Sequence, residues 1–70
     1  MAEAVRLALA GDWDLAHKAV QGLDNDRRAC WIHGILHRIE GDLENARYWY
    51  RKAGRPFPSE DPREELKGIF

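Results

Sequence analysis

The amino-acid sequence predicts an all-α fold of antiparallel helical hairpins, and three observations predict it. The chain says nearly the same thing twice: Gly11-Asp12-Trp13-Asp14-Leu15-Ala16-His17 returns as Gly41-Asp42-Leu43-Glu44-Asn45-Ala46-Arg47. An internal repeat of a helix–turn–helix unit sets the architecture. Between the punctuation marks, apolar residues recur at helical spacing, with no strand-like alternation. Glycine, aspartate and proline fall where helices should stop and start. The 70 residues are read as one domain, 1–70. It holds a first unit over about 2–24, a second over about 27–58, and a capping helix over about 62–69.

Residues 2–10 form the first predicted helix. Val5, Ala8 and Leu9 make its stripe, Ala4 and Leu7 widen it, and Gly11 ends it. Asp12 is a good N-cap for the second helix, and Asp14 suits its positive N-terminal end. This helix is expected to run to about Leu23, with Leu15, Ala16, Ala19, Val20 and Leu23 as its apolar face. Asp24-Asn25-Asp26 is a polar turn that caps the third helix, 27–40. From Ala29 to Leu36 that helix is apolar on nearly every side, so it should be central, with the others packed around it. Gly41 breaks the chain, Asp42 caps, and 43–53 form the fourth helix. Gly54-Arg55-Pro56-Phe57-Pro58 cannot be helical. Asp61 then caps a fifth helix, Pro62 fits its first position, and Glu64 can reach back as in a capping box. Leu66, Ile69 and Phe70 should lie on the bundle.

The second unit resembles a tetratricopeptide repeat. Gly34 stands at the small position of its first helix, Gly41-Asp42 at the turn, and Ala46 at the close-packing alanine. Tyr50 is the large aromatic, Ala53 the late small residue and Pro58 the closing proline. In the first unit Ala4, Leu7, Gly11, Ala16, Val20 and Leu23 fall in corresponding places. That unit lacks the proline, and the shortening falls in the Asp24–Arg28 turn. The resemblance implies tetratricopeptide-like hairpins stacked right-handed: four helices plus the short C-terminal capping helix. It speaks to fold more than to function. Trp31-Ile32-His33-Gly34 with His37-Arg38 and Glu40-Gly41-Asp42, and Ala46-Arg47-Tyr48-Trp49-Tyr50-Arg51-Lys52-Ala53-Gly54-Arg55, are also similar to a group of small uncharacterised bacterial proteins, which implies no known activity.

Composition narrows the function classes. Eleven basic and twelve acidic side chains leave a formal charge of −1. There is thus no global electrostatic case for nucleic acid or an anionic membrane. A single cysteine, Cys30, rules out an internal disulfide and suits a reducing, cytoplasmic setting. Glu3 comes early and no long apolar core follows, so no signal peptide is expected. No apolar run approaches the ~20 residues of a membrane span. Ser59 is the one serine and threonine is absent, so no nucleophile assembly is legible. The glycines are scattered, and no phosphate-binding loop is legible either. The chain is read as a non-enzyme without cofactor.

Three constellations remain. Cys30, His33, His37 and Glu40 lie along one stripe of the third helix. His33 and His37, at i and i+4, could share a zinc or transition-metal ion, with His17 as a further ligand across the bundle. These positions also pack against the partner helix, and no second cysteine or metal motif accompanies them. The packing reading is therefore preferred, with a metal- or small-ligand-binding protein as the alternative. Arg47-Tyr48-Trp49-Tyr50-Arg51-Lys52 mixes aromatic and basic residues, but a helix points them different ways, and a solvated face explains them better than nucleic acid does. Trp31, Ile35 and Ile39 form a stripe on the other side of the third helix. In the repeat family that side lines a groove for a protein segment. Arg38 beside it could take a carboxylate, and Arg47 could help orient the partner. Helix five, helix one or a second copy of the chain could equally cover the stripe. The expected role is an interaction or scaffold module that binds a protein segment or its own copy, as in a homodimer, with Trp31 the central anchor and Trp13 or Trp49 as others.

Overall fold

A computed structural model describes residues 2–69, so the expected packing of Phe70 lies outside the described residues. Five helices follow one another: α1 (Ala2–Leu9), α2 (Trp13–Val20), α3 (Arg27–Glu40), α4 (Leu43–Ala53) and α5 (Pro62–Lys67). The all-α architecture is as expected. α1 pairs with α2 and α3 with α4, while α2 also packs on α3.

The repeated Gly-Asp pair builds the two tight turns in the same way. Gly11 (φ 86°) and Gly41 (φ 87°) adopt the left-handed conformation that closes a helix. The Gly11 N–H donates to Ala8 O (3.1 Å) and the Asp12 N–H to Leu7 O (2.9 Å). The Gly41 N–H likewise donates to Arg38 O (3.1 Å) and the Asp42 N–H to His37 O (2.9 Å). The aspartate side chain then turns forward. Asp12 accepts from the Leu15 N–H at 3.4 Å and Asp42 from the Asn45 N–H at 3.3 Å. One residue ends a helix and the next both completes that ending and caps its successor.

α2 is shorter than expected. It stops at Val20 instead of Leu23, because Gln21 turns extended (ψ 133°) and Gly22 takes φ 86°. Its buried face is Ala16 and Val20, whereas Leu15 and Leu23 are exposed. α5 also ends early, at Lys67. Its cap is as expected, with Asp61 accepting from the Arg63 and Glu64 N–H groups, but Glu64 turns away to pair with Lys67 at 2.9 Å and closes no capping box.

α3 is the central helix. Ala29, Cys30, Ile32, His33, Gly34, Ile35, Leu36 and His37 are all buried. α4 turns Ala46, Tyr50 and Ala53 inward, as expected. α3 and α4 approach closely at Gly34, where an added Cβ would lie 2.8 Å from Tyr50 Cδ2. α5 folds back across α3 and reaches α1.

This return lays helix five over the Trp31 stripe, one of the coverings that the sequence left open. Trp31, Ile35 and Ile39 pack into the main apolar core, together with Leu66 and Ile69. Ile35 is wholly buried. Arg38 does take a carboxylate, and it belongs to the same chain: Nη1 donates to Glu65 Oε1 at 2.6 Å. The Tyr50 hydroxyl donates to that same oxygen at 2.6 Å, and the Trp31 indole N–H to Glu65 Oε2 at 2.7 Å. A further Arg38 nitrogen donates to the Glu60 carbonyl. Burial and the Glu65 bond raise the Tyr50 phenol above its ordinary pKa, so the hydroxyl stays a donor. Arg47 sits with its guanidinium over the Phe57 ring at 4.4 Å, clear of that stripe.

Candidate metal centre

The other side of α3 carries the second feature. His33 and His37 stand one turn apart, so their rings stack, with centroids 5.0 Å apart. α2 lies against α3 through Ala16 and Val20, and this brings His17 between them. His17 Nε2 is 2.9 Å from His33 Nε2. One ring nitrogen from each histidine can be chosen so that all three lie within 4.8 Å of one another.

Aromatic rings fix the imidazole planes. Trp13, one turn before His17, stacks on it with centroids 4.7 Å apart and planes 9° from parallel. Its own N–H donates to Leu36 O at 2.6 Å, which anchors the indole to α3. Trp49 of α4 stacks on His33 at 3.8 Å and 8°. His37 is held from behind, with Nδ1 against the Glu40 carboxylate. That contact assigns the proton to Nδ1 and leaves Nε2 with a free lone pair, the arrangement in which an outer carboxylate orients a metal-binding imidazole.

Cys30 does not join the group. Its thiol donates to the Asp24 carbonyl at 3.3 Å, and burial raises its pKa, so it stays a neutral packing group. Asp42 approaches His37 and Glu40, but its carboxylate caps α4. Of the expected stripe, then, the structure assembles His33 and His37 with Glu40 behind them, and adds His17. The flanking roles of Trp13 and Trp49 were not foreseen. For Trp13 the signal was its i, i+4 spacing from His17; for Trp49, on another helix, spacing gave none.

Burial disfavours the charged forms of His33 and His17. Burial is the main cause that pushes the His33 pKa from 6.5 to about 4, and His17 and His37 add to it. Burial, then His37, lowers His17 as well. Neutral imidazoles are the form that binds a metal ion. A stability effect follows. Above pH 6.5 His33 is neutral whether folded or not. Between 6.5 and about 4 the unfolded chain takes up a proton that the folded chain refuses, so stability falls as pH falls through that window. Melting temperature measured across it should drop in the wild type, and His33→Gln should flatten the part of the slope due to this residue. An unchanged slope would mean that His33 does not titrate this way.

A cleft of about 450 Å³ opens onto the three rings, with Gln21, Asp24, Asn45 and Trp49 on its walls. Comparison with family models, with curated proteins and with solved structures gives no match for this chain. No helix among the described residues is long and apolar enough to cross a membrane.

Proposed function

We propose that this protein binds a divalent transition-metal ion, zinc above all, through His17, His33 and His37. The observation that carries the reading is the convergence of one nitrogen from each ring within 4.8 Å. Imidazole donors at the zinc distance of about 2.0–2.1 Å sit roughly 3.3 Å from each other on a tetrahedral ion. The His17–His33 pair at 2.9 Å needs to open by only a few tenths of an ångström. A shared proton holds that pair together in the metal-free form, and an ion would engage both lone pairs instead. Tri-imidazole donor sets suit zinc, copper, nickel and cobalt, and disfavour magnesium and calcium. The Trp31 stripe, by contrast, carries α5 against it, with Ile35 wholly buried and the Trp31 indole N–H bonded to Glu65.

Binding to the folded form alone stabilises it by about 2.7 kcal/mol at a hundred times the dissociation constant. For a chain this small, that corresponds to a melting-temperature rise on the order of 10 °C or more. Protein purified without a histidine tag should show this rise with zinc and none with magnesium. His17→Ala is the informative variant, since His17 is only partly buried and the change leaves the core of α3 intact. It should lose the zinc response while remaining folded by circular dichroism. No rise in the wild type, or an equal rise in His17→Ala, would overturn the assignment.

A further inference from the structure

Resting on the metal assignment above, we infer that the fourth coordination position of the ion opens to the cleft and exchanges small ligands: water at rest, and monodentate anions in competition with it. Among the described residues no further His, Cys, Asp or Glu atom joins the three histidines within 4.8 Å. The Cys30 thiol is committed to the Asp24 carbonyl. Glu40 occupies the far nitrogen of His37, and Asp42 caps α4. The Asp24 carboxylate faces Lys52, with Oδ2 3.9 Å from Nζ. A zinc site with three protein ligands and an open position differs in kind from a closed structural site of four.

The surroundings give that position its direction. Trp13 covers one ring face of His17 and Trp49 one of His33, so the two indoles wall off those sides. A cleft of about 450 Å³ opens onto the three rings beside them. A water takes about 30 Å³ of liquid volume, so the space holds the ligand and its own hydration. Gln21 and Asn45 place amides on the wall, able to donate to or accept from whatever binds. Three neutral imidazoles leave the ion its full double positive charge, which draws in anions. Asp24 is the one carboxylate on the cleft wall and opposes them. Asp24→Asn should therefore strengthen anion binding, by about two- to threefold for a single charge acting across a water-like medium.

Cobalt(II) makes the position visible, because its visible absorption bands report the number and kind of its ligands. The full chain is loaded with cobalt, dialysed free of excess ion and titrated with azide. Dialysis and light scattering are repeated at the end point to show that cobalt stays bound to a chain of unchanged mass. A saturable band shift, stronger in Asp24→Asn, is the expected result. Bound cobalt whose bands ignore azide would overturn the open position and leave the three-histidine assignment standing, as would a fourth donor supplied by a second copy and seen as a metal-dependent dimer. Failure to take up cobalt at all would remove the metal assignment and this inference together.

Discussion

Replacing Glu65 with alanine should cost about 3–5 kcal/mol, the largest loss expected from any single substitution in this chain. Glu65 is 7 % exposed and is the common acceptor for Arg38, Tyr50 and Trp31. Its removal leaves the Arg38 guanidinium, itself buried, without a counter-charge, and frees the tyrosine hydroxyl and the indole of their acceptor. A 70-residue domain has only about 4–10 kcal/mol to lose. Urea titration followed by circular dichroism should therefore show Glu65→Ala partly unfolded in buffer. The damage comes from the orphaned partners more than from the lost attraction. The triple variant Glu65→Leu, Arg38→Met, Tyr50→Phe removes the partners as well, and should be more stable than Glu65→Ala alone. A Glu65→Ala midpoint within experimental error of wild type would show that α5 does not depend on this carboxylate.

The second large effect is expected at Gly34. Valine there should destabilise by about 3 kcal/mol. A Cβ would come 2.8 Å from Tyr50 Cδ2, 2.9 Å from Cε2 and 3.3 Å from the Ala46 carbonyl oxygen. The tyrosine cannot swing away cheaply, since its hydroxyl is tied to Glu65 and its ring packs edge-on against Phe57. Alanine at the same place sets a helix-propensity gain of up to about 1 kcal/mol against the same contact, so it should fall between wild type and valine. Thermal melts of the three proteins give the order directly. A Gly34→Val protein as stable as wild type would mean that α3 and α4 separate at no cost.

Much of the fold was legible because its punctuation is chemical and local. Gly11, Gly41 and Gly54 mark helix ends that need a left-handed residue, and Asp26, Asp42 and Asp61 mark starts that need an acceptor. α4 fell on its expected bounds for that reason. Gly22 carried the same signal, but the apolar periodicity through Leu23 argued against it, and α2 was read too long. What was not legible was which charged residue would be buried. In Pro62-Arg63-Glu64-Glu65-Leu66-Lys67, Glu64 and Glu65 look alike, and only the return of α5 onto Arg38, Tyr50 and Trp31 separates them. The candidate metal site was half legible. His33 and His37 share a helix face by spacing alone. The approach of His17 depends on where α2 stops and on the path from Gln21 to Asp26, which no periodicity encodes. Cys30 sat on the right stripe, yet its sulfur found a carbonyl.

The contact between α5 and α1 has a consequence for how the molecule comes apart. In an open array of helical repeats each unit touches only its neighbours, and the ends fray first. Here the last helix leans on the first and on the centre at once. Detaching α1, whose Ala4, Val5 and Ala8 lie in the core, strips one wall from Leu66 and Ile69, and detaching α5 exposes the same core from the other side. The two short end helices should thus open as one unit. Their slowest amides should exchange with solvent deuterium at a shared free energy close to that of global unfolding, instead of stepping down toward the ends.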